Sequence, residues 1–173
     1  QVLIDDVLPT IGIPASEPGA LSPASLFAGK REVWLEIGFG GGEHLAGQAA
    51  RNGDFGFIGA EPFVDGVAKL LTALEEQALS NVRVRRGDAR DLVAQFADQS
   101  IDRAFILFPD PWPKTRHRKR RLVQADFVVE LARVLKPGAR LRFATDWADY
   151  ANRALADVTR SGLFTWTAGR ADD

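Results

Sequence analysis

Val33-Trp34-Leu35-Glu36-Ile37-Gly38-Phe39-Gly40-Gly41-Gly42-Glu43-His44-Leu45-Ala46-Gly47-Gln48-Ala49-Ala50 reads as a strand, a glycine turn and the opening of a helix. Val33 to Ile37 is short and mostly apolar, as a buried strand requires. Glycines such as Gly38 and Gly40 allow positive φ and let a ligand approach the backbone at a helix N-terminus. Taken alone, such a turn also serves merely to connect a strand to a helix. Two details narrow the ligand. A dinucleotide fingerprint needs its third glycine where Glu43 stands, and a phosphate loop needs a Gly-Lys-Ser/Thr ending that is absent. Glu36 and Glu43 flank the turn instead, and they would repel a pyrophosphate while attracting an ammonium and a sulfonium. S-adenosylmethionine carries both cations.

Working outward, Phe55 to Ala60 is a second strand that ends in Glu61. An acid about 20 residues beyond the glycine turn is where a ribose diol is held in nucleoside-binding α/β folds. Val67, Leu70, Leu71, Leu74 and Ala78 then share one helical face, which is core. Val82 to Arg86 alternates as a strand, and Asp88 after it either caps the next helix or accepts from an adenine amino group. Ile101 to Phe108 reads as a buried strand delivering Asp110 just beyond its carboxyl end, and Phe127, Val128, Leu131, Val134 and Leu135 form another helical stripe stopped by Lys136-Pro137-Gly138. Ala139 to Thr145 is a fifth strand followed by Asp146. A further helix runs to about Arg160, and Leu163 to Trp166 is expected to be a last strand. Residues 1–30 hold a short helix and then an irregular N-terminal arm rich in Pro and Gly.

Five acids, Glu36, Glu61, Asp88, Asp110 and Asp146, thus follow five successive strands. Their convergence on one edge of a parallel sheet points to a cationic, hydroxyl-rich ligand more than to helix capping alone. Beside Asp110 lies Phe108-Pro109-Asp110-Pro111-Trp112-Pro113-Lys114-Thr115-Arg116-His117-Arg118-Lys119-Arg120-Arg121. Its alternate prolines push Phe108, Asp110 and Trp112 out of the α region, so an extended, stiff segment is expected. From Lys114 to Arg121 there are six Lys or Arg and no acid, a patch that attracts phosphates. Arg120 and Arg121 also suit the opening of the next helix, and Trp112 suits either base stacking or packing on the strand edge.

Composition sets the outer bounds. A chain of 173 residues, 46% hydrophobic, suits one core. The net charge of −1 excludes a generally basic, histone-like protein, so any polyanion binding is local. Without Cys there is no disulfide, thiolate metal site or thiol nucleophile, and two distant His residues argue against a metal site. No apolar run approaches the roughly 18 residues of a membrane span, and no signal pattern opens the chain; a cytoplasmic location without a membrane is expected. Because Met is absent, the encoded start is expected to precede Gln1.

Together, Glu36-Ile37-Gly38-Phe39-Gly40, Gly59-Ala60-Glu61, Gly87-Asp88-Ala89, Phe108 to Leu122 and Thr145-Asp146-Trp147-Ala148-Asp149-Tyr150 resemble the bacterial tRNA (guanine-N7-)-methyltransferase family over roughly Leu35 to Trp166. The resemblance implies a Rossmann-like class I methyltransferase: a mostly parallel twisted sheet of about seven strands with helices on both faces, filling residues 31–173. It implies that Glu36, Glu61, Asp88 and Asp110 contact S-adenosylmethionine and that Asp110 is the catalytic-site acid. Lys114 and Asp146 would contact tRNA, with Arg116 of the basic run beside them. The implied reaction is methylation of a variable-loop guanosine, position 46, with no metal and no obligate protein partner. The family's Thr-x-x-Glu substrate motif has no match after Trp166, so a tail carrying it is expected beyond Asp173. Three rivals stay open. A small-molecule methyltransferase shares the acids but does not need the basic run. A dinucleotide oxidoreductase is disfavoured by Glu43, and a non-catalytic RNA-binding subunit of the same fold is disfavoured by the acid set.

Overall fold

The computed structural model describes residues 2–167 and Gly169. Residues 168 and 170–173, with the end expected for the domain, lie outside the described residues, as does the expected tail motif. Five strands form one fully parallel sheet: β1 Val33–Ile37, β2 Gly56–Glu61, β3 Val82–Arg86, β4 Ile101–Leu107 and β5 Leu135–Ala144. Their spatial order is β3-β2-β1-β4-β5. The order reverses between β1 and β4, and open α/β sheets hold their ligands in the crevice at such a switch point.

Parallel strands need crossovers, and the helices supply them on both faces. On one face α3 Glu43–Arg51 and α4 Val64–Glu76 bury Leu45, Ala46, Ala49, Val67, Leu70, Leu71 and Leu74 against Phe57, Val82 and Val84. On the other, α5 Ala89–Gln95, α6 Ala125–Val134 and α7 Ala148–Ser161 pack Leu92, Val93, Phe127, Val128, Leu131, Tyr150 and Ala154 on Val33, Leu35, Ile37, Ile58 and Ile106. β2, covered on both sides, is buried along its whole length, whereas edge strand β3 alternates Val82 and Val84 inward with Arg83 and Arg85.

Before the sheet, α1 Val2–Asp6 and α2 Leu8–Ile11 lead into a segment whose Ile13 N–H donates to the Val84 carbonyl at 2.8 Å. Ile13 and Phe27 are buried in the core.

Several expectations are corrected. The sheet has five strands among the described residues, not about seven, because no further strand pairs with the outer edge of β5. Leu163 to Trp166 is not a strand: Gly162, at φ +66, ends α7, and the chain beyond it leaves Leu163 and Trp166 exposed. α4 ends at Glu76, so Ala78 lies past the helix with φ +52. β5 begins at Leu135 rather than Ala139, directly on the end of α6.

Candidate functional site

The five acids do stand along one edge, since every strand runs the same way, but they stand there in two different states. In β1, Glu36 is 4% exposed and lies opposite Gly59 of β2 and Phe105 of β4. Its Oε2 is 2.7 Å from His44 Nδ1 on the first turn of α3. Gln48 Nε2 lies 3.2 Å from the other ring nitrogen. In the tautomer with its proton on Nδ1 the ring donates to Glu36 and accepts from that amide. Burial pushes the Glu36 carboxyl above its ordinary pKa; His44 pulls it part of the way back, and the nearby charge of Glu43 raises it.

Glu61, the last residue of β2, is also 4% exposed. Its Oε2 accepts from the Gly40 N–H at 2.9 Å and its Oε1 from the Phe63 N–H at 3.0 Å. The acid thereby clamps the glycine turn to the end of the neighbouring strand. Gly40 has φ +56, and its carbonyl lies so close to Gly66 of α4 that any Cβ there would collide with it. Toward the crevice the turn is open: nothing lies within 4 Å of a Cβ built on Gly38 or Gly40. Asp88 caps α5, its Oδ1 accepting from the Arg90 N–H at 2.8 Å, while Oδ2 lies 3.3 Å from Arg90 Nη1.

The β4 and β5 ends differ. The Phe108 N–H still donates to the Ala144 carbonyl at 2.8 Å, and then the backbone kinks. Phe108 and Trp112 have φ +51 and +41, so Phe108 to Pro113 is not extended. Proline excludes the right-handed α region for its predecessor, and here the two residues escape it into the left-handed region, at a cost on the order of 1–3 kcal/mol each. Asp110 is exposed and has no hydrogen-bond partner among the described residues; with Pro111, Trp112 and Pro113 it lines an open depression of 210 Å³. Asp146, two residues past β5, is exposed too.

The basic run folds as a 3-10 turn, Thr115–Arg120. Lys114, Arg116, Lys119 and Arg120 are exposed, with the Arg120 guanidinium 5.0 Å from the Trp112 ring centroid. Trp112 is thus packed against Arg120 and, edge-on at 5.8 Å, against His117. Arg118 donates to Asp149 at 3.0 Å. Arg121 neither faces solvent as a phosphate contact would nor opens the next helix, which begins at Ala125: it is 2% exposed and bonded inside the protein. Tyr150 is wholly buried and its hydroxyl accepts from the Val123 N–H at 2.9 Å; burial pushes that phenol above its ordinary pKa. Trp147 is 41% exposed beside Asp146.

Sequence reasoning therefore placed the acids but missed two links, Glu36 with His44 and Arg121 with Pro111. His44 had a usable signal, a polar ring on the inner side of a helix start facing an acidic strand residue. Arg121 had none, being one cation among six. Among the described residues no three His, Cys, Asp or Glu side chains gather as a metal site would need, and no helix is long and apolar enough to cross a membrane.

Residues 30–172 match the protein family described as "Putative methyltransferase". A tRNA (guanine-N(7)-)-methyltransferase of Caulobacter sp. strain K31 is 60% identical over 161 residues, 91% of this chain and 70% of that protein. One of the same name from Hyphomonas neptunium is 54% identical over 173 residues, 100% of this chain and 78% of that protein. Among solved structures, the precorrin-6y C5,15-methyltransferase of Geobacter metallireducens superposes with a TM-score of 0.62 at 15% identity, covering 77% of this chain and 63% of that one, and so shares the fold. The structure of a "putative methyltransferase" from Thermoplasma acidophilum gives 0.57 at 27% identity, over 77% and 52% of the two chains.

Proposed function

We propose, because the chain belongs to the tRNA (guanine-N7-)-methyltransferase family, that it methylates the variable-loop guanosine at position 46 of tRNA in the cytoplasm. It is an S-adenosylmethionine-dependent methyltransferase acting on N7 of guanine in tRNA. The observation that carries the finer reading is the bare carboxylate of Asp110, set between a glycine turn ringed by acids and a turn of exposed cations.

The residues present suit the methyl donor. The open backbone at Gly38 and Gly40 gives it room, and Glu36 and Glu61 supply negative charge where an ammonium and ribose hydroxyls would lie. Both oxygens of Glu61 are engaged by backbone donors, yet each keeps a lone pair for a hydroxyl. Asp88 and Asp110 complete that set. Bound S-adenosylmethionine supplies a methyl group that the N7 lone pair takes as the carbon–sulfur bond breaks, leaving the sulfur neutral and the purine positive.

N7 is an exposed acceptor in the major-groove edge, so nothing has to remove a proton first. The protein's contribution is alignment and charge. Asp110 stabilises the positive purine or holds the guanine edge through its amino donors. Lys114 and Arg116 bind tRNA phosphates, and Asp146 contacts the substrate from the neighbouring strand end.

The reading is tested with the full chain, labelled S-adenosylmethionine and a tRNA transcript, mapping label by cleavage specific for 7-methylguanosine. Label at one variable-loop guanosine is expected. Label at a guanosine elsewhere would displace position 46, and transfer only to small molecules would displace tRNA.

A further inference from the structure

We infer that Arg121 is a positioning residue, a buried brace that holds the Pro109-Asp110-Pro111 segment in its kinked shape and ties it to the ends of β3 and β5. The inference rests on reading Asp110 as the substrate-side acid.

Arg121 sits in a run of cations but does not share their environment. It is 2% exposed, while Arg118, Lys119 and Arg120 are exposed. Its Nε donates to the Pro111 carbonyl at 2.6 Å and its Nη2 to Asp149 Oδ2 at 2.7 Å. The guanidinium carbon lies 4.9 Å from the centroid of the buried Tyr150 ring. Its own carbonyl accepts from Arg90 Nη2 at 3.0 Å and from Gln124 Nε2 at 2.6 Å. Arg90 in turn pairs with Asp88.

One residue therefore reaches the chain that follows three strands: β3 through Arg90 and Asp88, β4 through Pro111, and β5 through Asp149. These are the strands that present Asp88, Asp110 and Asp146. A guanidinium at this burial cannot meet a phosphate without opening the turn, whereas its planar fork suits holding a carbonyl and a carboxylate at once. Nη1 is buried and without a partner among the described residues. The fixed contacts thus use only part of the group's donors.

What the brace holds is a backbone that would not hold itself. Phe108 and Trp112 occupy positive φ on either side of Asp110. Such conformations persist only where the surroundings over-determine them. Without a donor on the Pro111 carbonyl, the segment relaxes and carries Asp110 out of line with the methyl donor.

The test uses the full chain as wild type, R121K, R121M, D149N and the exposed comparator K119A. Steady-state methylation of a tRNA transcript is measured across a salt series, and amide exchange at Phe108 is followed without substrate. In R121M, kcat should fall about 100-fold, the scale of a misplacement near 1 Å, while KM for tRNA and its salt slope stay as in wild type. R121K recovers part of kcat, because an ammonium reaches one acceptor but not both, and D149N falls between. K119A instead raises KM and lowers the salt slope by about 0.7–0.9. Exchange at Phe108 rises most in R121M and less in R121K.

A salt slope lowered in R121M as in K119A would make Arg121 a phosphate contact and overturn the inference. So would wild-type kcat and wild-type exchange in folded R121M. Should R121M not fold, R121K and D149N decide by the same split. A wild-type chain that labels no tRNA counts against the substrate reading instead, and the Phe108 exchange then decides the brace by itself.

Discussion

The acids at the ends of β1 and β2 and those past β4 and β5 belong to one edge of one sheet, yet the first pair is buried and bonded and the second is exposed and bare. Glu36 and Glu61 are each 4% exposed and spend their oxygens on His44, Gly40 and Phe63. Asp110 and Asp146 face solvent. On the proposed reading, the difference follows from what each half would hold. A small cofactor with a fixed shape is served by groups already oriented and dry, where charge interactions are least screened. A large nucleic acid has to dock from solvent, and its acids and cations have to be reachable before it arrives. The strained, proline-rich segment at Asp110 is a compromise between the two, exposed at its tip and fixed from beneath.

The largest effect expected from breaking this contrast is at its exposed end. Asp110→Asn keeps the side chain's shape and removes its charge. Turnover should fall about 100–1000-fold, as when one preorganised electrostatic group is lost, with melting temperature unchanged because the wild-type carboxylate bonds to nothing among the described residues. Full turnover in that variant would remove Asp110 from the chemistry.

Next in size is a lesion of the buried half. In Gly66→Ala the new Cβ meets the Gly40 carbonyl and lies 3.2 Å from Glu61 Cγ. The glycine turn has to move, and on the proposed reading the turn is what the cofactor would lie against. A loss of about 1–3 kcal/mol in stability is expected, together with weaker S-adenosylmethionine binding by calorimetry. Wild-type melting and affinity would show that the turn is softer than its packing implies, and the contrast between the halves would lose its meaning.

The two halves were also unequally legible in the sequence. Strands alternating with helical stripes give a parallel sheet, and a parallel sheet puts every strand's carboxyl end on one side; Glu36, Glu61, Asp88, Asp110 and Asp146 follow from that geometry alone. Nothing in the pattern said which would be buried. That depends on α3 and α4 closing over β1 and β2, which brings His44 onto Glu36 across a turn. At the other end the local rule misled. A residue before proline is steered away from right-handed α, and extended backbone is the usual outcome. Here the Ala144 carbonyl fixes the Phe108 N–H and Arg121 fixes the Pro111 carbonyl, and both contacts come from residues distant in sequence. Composition likewise makes six cations look alike. Only the packing of Tyr150 and Asp149 singles out Arg121 as interior. A seventh strand had no sequence support beyond the resemblance, and the sixth rested on Leu163 to Trp166, a short apolar run that in the structure leaves the end of α7 exposed and unpaired.

The smallest effect probes the buried half through pH. Burial raises the Glu36 carboxyl above its ordinary value near 4.5, and the His44 bond offsets this only in part. Between that ordinary value and the raised one, the folded chain binds more protons than the unfolded chain, so this group's contribution to stability is complete at low pH and is lost as pH rises through the folded value. Glu36→Gln keeps an oxygen that accepts from His44 Nδ1–H and cannot titrate. The melting temperature of the variant minus that of wild type should therefore grow as pH rises from about 4.5 toward neutrality and then level off. Cofactor affinity should move the other way, weaker in the variant at neutral pH where the ammonium of S-adenosylmethionine has lost its counter-charge. A melting difference independent of pH would mean that Glu36 titrates like a solvated carboxylate, and the division between a dry cofactor half and a wet substrate half would have to be abandoned.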